Sequence, residues 1–83
     1  MDIRAIFAGN LRRFRADAGV SQEELAHQVG IDRTYVSALE RQVHGCSIDL
    51  VARLAEALRV SPAAMLAEPV AGPKAQEDAT TQG

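Results

Sequence analysis

The chain has 83 residues, 47% of them hydrophobic, and a formal net charge of −2 at pH 7. This length accommodates one domain, and the apolar content is that of a folded chain rather than a wholly disordered one. The sequence contains no nucleophile triad, paired carboxylates or phosphate loop, so we do not predict an enzyme. No apolar run approaches the ~20 residues that a membrane helix needs, and we expect a cytoplasmic protein without a membrane partner.

Candidate metal ligands are few. Cys46 is the single cysteine, so it has no disulfide partner within the chain and suits a reducing compartment. His27, His44 and Cys46 lack the C-x-x-C or H-x-x-x-H spacing of a metal site, and a tetrahedral site would need a fourth ligand. We therefore predict no metal site and no cofactor. The sequence contains no ligand-sensing domain, so we expect no small-molecule ligand.

The first predicted helix runs from about Ile3 to Ala18. Its apolar residues repeat at helical spacing and form one stripe, composed of Ile3, Phe7, Leu11, Phe14 and Ala18. This segment is Arg-rich and apolar, like a transit peptide, but the acidic residues Asp2 and Asp17 and its fit to the domain favour the helix. Gly19 ends the helix, because glycine readily adopts the left-handed conformation that commonly follows one.

The second and third predicted helices form a helix-turn-helix pattern. The second begins at Ser21, which forms a capping box with Glu24 three residues later, and it ends at Gly30. The third begins at Asp32, whose carboxylate we expect to cap the first turn, and it ends near Gln42. Two short helices joined by a tight glycine-containing turn are typical of this motif.

Two further helices complete the predicted domain. The fourth is capped by Ser47 and buries a stripe composed of Ile48, Val51, Leu54, Ala55 and Leu58. The short fifth helix has Ser61 as its cap and Pro62 at its first position, where the missing amide costs nothing.

The composition changes near the C-terminus. From about Pro69 onward, Pro, Gly, Ala, Thr and Gln dominate, which is typical of chain that cannot bury a core. We predict a domain over residues 1–67 and a flexible tail over residues 68–83.

The outer face of the third helix is the main candidate for function. On a helical wheel, Thr34, Ser37, Ala38 and Arg41 lie opposite Val36, with Arg33 at the N-terminal end. Short polar side chains with an arginine at each end suit the major groove of DNA. The alternative interpretation is an ordinary solvated face, since amphipathic helices normally show one.

The chain from about Phe7 to Leu66 resembles the Cro/phage-repressor (XRE) helix-turn-helix family. The shared features are the Leu-Arg-x-x-Arg of the first helix, Ser21-Gln-Glu-Glu-Leu-Ala, Gly30, Val36-Ser-x-Leu-Glu-Arg and Ala55-x-x-Leu-x-Val. The segment Asp32-Arg-Thr-Tyr-Val-Ser is especially similar to the controller proteins of restriction–modification systems. The resemblance implies an all-α, five-helix, lambda-repressor-like DNA-binding domain. One departure is Gln42-Val-His-Gly-Cys, where many members have Gly and then Asn-Pro.

The resemblance also implies roles for individual residues. The predicted base contacts are Arg33, reading guanine, with Thr34 and Ala38. The predicted contacts to the DNA backbone are Ser21, Gln22, Tyr35, Ser37, Arg41 and His44. An ion pair between Arg15 and Glu40 is expected to join the first and third helices, the alternative being two independent surface charges.

A homodimer is expected, because one short recognition helix reads only a few base pairs. The resemblance places the dimer surface on the fourth and fifth helices, with Leu50, Met65 and Leu66 as candidates. For Met65 and Leu66 the alternative is the monomer core. The predicted function is a sequence-specific transcriptional regulator on a pseudo-palindromic operator in double-stranded DNA. An antitoxin or protein-binding module of the same fold remains the alternative.

Overall fold

The computed structural model describes residues 2–69 of the chain. Within them it contains no strand and five helices: α1 (Ile3–Ala18), α2 (Gln22–Val29), α3 (Arg33–Glu40), α4 (Ile48–Leu58) and α5 (Pro62–Leu66). The predicted all-α class and the order of five helices are confirmed. Nearly all of the predicted tail, residues 70–83, lies outside the described residues.

The helix ends follow local sequence signals. Gly19 and Gly30 terminate α1 and α2 in the left-handed conformation, with φ of 70° and 77°. Ser21 and Glu24 form the predicted capping box at the start of α2. Capping oxygens of this kind satisfy amides that have no partner within the helix. Ser47 and Ser61 similarly accept hydrogen bonds at the starts of α4 and α5.

Two details of α3 differ from the prediction. Asp32 is its N-cap residue, but the side chain accepts no capping hydrogen bond. The helix ends at Glu40 instead of near Gln42, because Gln42 takes a left-handed conformation (φ 64°) that breaks the helical path. Gln42 occupies the position where the related pattern has glycine, and a side chain in this conformation costs about 1–2 kcal/mol.

One apolar core holds the helices together. α1 packs on α3, α4 and α5, while α2 packs on α3 and α4. The largest fully buried apolar side chains come from all five helices: Leu11, Leu25, Val36, Leu39, Leu54 and Met65.

The core decides three predictions about apolar residues: those for Leu50 and Ile48 are corrected, and for Met65 the alternative of the monomer core applies. Met65 has no exposed surface and Leu50 exposes only 6% of its own, so both belong to the monomer core and offer little area to a dimer partner. Ile48 was predicted to be buried, but it is 85% exposed. Ile48 is the first residue of α4, where the helix has not yet reached the core. Leu66, at 41% exposed, is the one predicted dimer residue that stays on the surface.

Asn10 is a buried polar residue that attaches α5 to α1. The two N–H groups of its side-chain amide donate to three carbonyl oxygens, those of Ala64, Met65 and Ala67 at 3.2, 2.8 and 2.9 Å, so one N–H is shared. Its Oδ1 accepts a hydrogen bond from Arg13 at 2.9 Å. Carbonyl groups at a helix C-terminus have no intrahelical partner, so this amide satisfies the end of α5. Helical periodicity alone does not mark Asn10 for such a role.

Candidate nucleic-acid interface

The turn between α2 and α3 sets how the two helices cross. The amides of Gly30 and Ile31 both donate to the Ala26 carbonyl, at 2.8 and 2.9 Å, which closes the turn tightly. The guanidinium of Arg53 on α4 donates to the carbonyl of Val29, the last residue of α2. The turn is therefore fixed both by its own backbone and by the neighbouring helix.

A buried carboxylate at the end of α3 joins three helices. Glu40 exposes 3% of its surface, and its Oε2 accepts from Arg15 Nε at 2.6 Å while Oε1 accepts from Arg15 Nη2 at 3.1 Å. Oε1 also accepts from the Gln22 amide at 3.0 Å. The hydrogen bonds from Arg15 to Glu40 raise the pKa of Arg15, and two-point arginine–carboxylate pairing fixes orientation as well as charge. The ion pair proposed between α1 and α3 is present in the structure.

The backbone of Glu40 is held as well. Arg12 Nη1 donates to the Glu40 carbonyl oxygen at 2.6 Å, while Arg15 Nη1 donates to the Val20 carbonyl at 3.0 Å. Two arginines of α1 thus bind the side chain and the main chain of the last residue of α3. With Glu40 held inward, the rotation of α3 about its own axis is determined.

In this fixed orientation, α3 exposes polar side chains on its outer side. Arg33, Thr34 and Arg41 are exposed, and Ser37 is partly exposed. Ser37 Oγ accepts a hydrogen bond from Arg41 Nε at 3.3 Å, which links the two side chains along the face. We call these four residues the α3 outer face.

Ala38 does not belong to the α3 outer face. The chain folds back at this point, with the Val43 amide donating to the Ala38 carbonyl at 2.9 Å, and Ala38 exposes only 7% of its surface. Its predicted contact with a base is therefore wrong, because almost none of its surface is available to a base.

The loop between α3 and α4 lies against α3. The rings of Tyr35 and His44 meet edge to face with centroids 6.2 Å apart, and the Tyr35 hydroxyl donates to the Gly45 carbonyl at 3.5 Å. Arg4 of α1 lies so close that a β-carbon on Gly45 would be 3.2 Å from Arg4 Nε. His44 is exposed, so the loop presents an imidazole next to Tyr35 of α3.

The two predicted backbone contacts of α2 have roles within the chain. The Ser21 hydroxyl accepts from the Glu24 amide at 3.0 Å, and the Ser21 amide donates back to the Glu24 carboxylate at 2.9 Å. The hydrogen bond from the Ser21 amide to the carboxylate lowers the pKa of Glu24. Gln22 donates one amide N–H to Glu40 and retains a second for an outside acceptor. Its part in the Glu40 network was not predicted.

Other kinds of site find little support in residues 2–69. No three His, Cys, Asp or Glu side chains converge there as metal ligands would. In the same residues, no helix is both long enough and apolar enough to cross a bilayer. Burial raises the pKa of the Cys46 thiol, which lowers the fraction of reactive thiolate.

Comparison with known protein families identifies the family of this chain. A family model described as a helix-turn-helix domain matches residues 6–68, which include α2, α3 and the Glu40 network. The chain belongs to the XRE-type helix-turn-helix family. The predicted resemblance to restriction–modification controller proteins is also confirmed.

Three proteins of known name are similar to this chain in sequence or structure. A hypothetical transcription factor of Neisseria meningitidis is 47% identical over 82% of this chain and 64% of its own length, and its crystal structure superposes with a TM-score of 0.79. Control protein C.SmaI of Serratia marcescens is 39% identical over 74% of this chain and 73% of its own. The controller protein C.Esp1396I, solved as a tetramer with its natural 35-base-pair operator, is 26% identical with a TM-score of 0.71, covering 78% and 86% of the two chains. The chain thus spans just under two thirds of the Neisseria protein.

Replacing Glu40 by Gln should destabilise the fold. The change keeps the shape of the side chain but leaves Arg15 without its counter-charge, and we expect a loss of about 2 kcal/mol in the free energy of unfolding. This is below the cost of breaking a fully buried pair, because the Arg15 side chain is 21% exposed. Urea denaturation measures the loss.

Glu56→Gln is the matched control for that substitution. Glu56 is an exposed glutamate of α4, and a surface change of this kind stays within about 0.5 kcal/mol. Equal stabilities of the Glu40→Gln and Glu56→Gln proteins would contradict the structural importance of the ion pair.

Proposed function

We propose that this chain is a sequence-specific DNA-binding transcriptional regulator that places α3 in the major groove of its operator. The observation that carries the proposal is the fixed orientation of α3, whose inner side is held through Glu40 while its outer face is polar and exposed. A major groove admits a helix of this width. Relatives described as a transcription factor and as control proteins support the same function, as does the operator complex of C.Esp1396I.

The chemistry of the α3 outer face suggests how the helix would read DNA. Arg33, at the N-terminal end, can pair with O6 and N7 of guanine, and Thr34 can contact a neighbouring base edge. Arg41, with Ser37 bonded to it, suits a phosphate. Contacts of this second kind fix the position of the protein on the duplex.

Residues around α3 can supply further contacts to phosphates. The Ser21 hydroxyl and the free N–H of Gln22 are donors of the right kind, and His44 is an exposed residue of the α3–α4 loop. The Tyr35 hydroxyl donates to the Gly45 carbonyl, so it would contact a phosphate only after giving up that bond. Ser21 and Gln22 are neutral donors. They position the duplex without adding much electrostatic affinity.

The overall charge limits non-specific binding. The chain has 9 lysines and arginines against 11 acidic residues, so few cations are available to displace counterions from DNA. Specific contacts from α3 must then supply much of the affinity. A shallow dependence of binding on salt concentration is the expected signature.

Selection from a random duplex library, followed by affinity measurements, tests the proposal. Arg33→Ala should lose roughly tenfold or more in affinity for the selected site and relax its preference at one position, because a guanine pair contributes about 1–3 kcal/mol of discrimination. Arg41→Ala should weaken binding to all duplexes alike and reduce the salt slope by about 0.9, the value for one phosphate.

Arg59→Ala is the charge-matched control. Arg59 is an exposed arginine at the end of α4, outside the helix-turn-helix, and we expect its removal to leave the selected sequence unchanged. A wild-type chain that selects no sequence would overturn the proposal and favour the alternative of an antitoxin or protein-binding module.

We further propose a homodimer, with a surface that differs from the predicted one. Ile3 and Leu66 are 47% and 41% exposed and line one shallow cleft together with Cys46. Ile48, two residues after Cys46 in the sequence, is 85% exposed. Burying this apolar surface against a second copy would stabilise a dimer and present two copies of α3 to a symmetric operator.

The variants Ile48→Asp and Leu66→Asp test this surface. Each places a charge in the proposed interface, and we expect the dimer dissociation constant to rise at least tenfold in analytical ultracentrifugation. Aspartate suits the first turn of α4, so Ile48→Asp should fold normally. Val43→Asp, in the α3–α4 loop and 51% exposed in the wild type, should leave the dimer intact. A wild type that is monomeric at micromolar concentration would refute the dimer.

A further inference from the structure

Asp32 has a carboxylate that its helix does not use. The other four helices in residues 2–69 begin with Asp2, Ser21, Ser47 or Ser61, and each of those side chains accepts a hydrogen bond from its own first turn. Asp32 has the same extended N-cap backbone (φ −77°, ψ 147°) but accepts none. It is exposed, and the ion pairs within residues 2–69 do not include it.

The position of Asp32 makes this carboxylate relevant to DNA. It precedes Arg33 directly, at the end of α3 that enters the groove under the proposed function. The two residues also line one open cleft between α2 and α3, and no ion pair joins them. An unpaired carboxylate close to phosphates is repelled, so it favours binding only where a hydrogen-bond donor on a base faces it.

The chemistry of the major groove restricts which base that can be. An ionised carboxylate only accepts hydrogen bonds. Guanine presents the acceptors N7 and O6, and thymine presents the acceptor O4, so both repel it. Adenine presents the N6 donor beside the N7 acceptor, whereas cytosine presents only the N4 donor. Cytosine is the one base whose hydrogen-bonding edge fully suits an aspartate.

We propose that Asp32 is a specificity-determining residue, whose carboxylate accepts a hydrogen bond from the N4 amino group of a cytosine. That cytosine lies within one base pair of the guanine read by Arg33, because neighbouring Cα atoms are 3.8 Å apart and successive bases of one strand are about 3.4 Å apart. The inference rests on the proposed function, since it assumes that α3 enters the major groove.

Asp32→Asn provides an isosteric test. Asparagine both donates and accepts, which matches N6 and N7 of adenine. Selection with the wild type should yield a position with a roughly tenfold preference for cytosine, and Asp32→Asn should shift that one position toward adenine. Asp32→Ala should leave it without preference. Affinity for non-specific duplexes should rise in both variants alike, because each removes one negative charge.

The outcomes separate this inference from the proposed function. If the wild type selects a sequence and Arg33→Ala alters it, but Asp32→Asn leaves every position unchanged, the cytosine contact is refuted and the regulator stands. If the wild type selects nothing, the proposed function fails first. The remaining explanation is that Asp32 acts only as a helix cap, which thermal melting of Asp32→Ala tests. A lower melting temperature, together with an equal loss of binding to all sequences, would support that explanation and contradict the proposal.

Discussion

The ion pair between Arg15 and Glu40 is the interaction on which the rest of the structure depends. A carboxylate with 3% exposure is costly to bury, and here it is compensated by the two-point contact from Arg15 and the amide of Gln22. Arg12 adds a bond to the backbone of the same residue. Because these donors come from α1 and α2, the charge can be satisfied only when three helices are correctly placed. The orientation of α3 is therefore built into the folded monomer before any DNA is present.

Local signals made much of the fold predictable. The five helices and most of their ends follow from periodicity, from serine caps and from Gly19 and Gly30, all of which act over a few residues. The sequence from Asp32 to Ser37 additionally predicted the similarity to restriction–modification controller proteins. Arg15 and Glu40 could be paired because both resembled family positions, although nothing in their spacing of 25 residues indicates a contact.

Long-range packing explains what the sequence did not reveal. Asn10 and Gln22 owe their roles to partners that only the folded chain brings near. A helical wheel placed Ala38 on the outer face, but it contains no information about the chain that folds back after Glu40. Leu50 was expected at the surface but is buried, and Ile48 was expected in the core but is exposed. A helical wheel does not show where along its length a helix contacts the core. These errors concern surfaces created by tertiary contacts, and the candidate dimer surface changed accordingly.

The bonds from α1 hold α3 in one orientation before DNA binds. Nuclear magnetic resonance of the labelled protein with its selected duplex measures this most directly. If α3 enters the major groove in this orientation, we expect nuclear Overhauser effects between the Thr34 methyl group and major-groove base protons, while the backbone signals of Arg15 and Glu40 move little. Contacts that arise only from other elements, or a shift at Glu40 as large as that at Thr34, would contradict it.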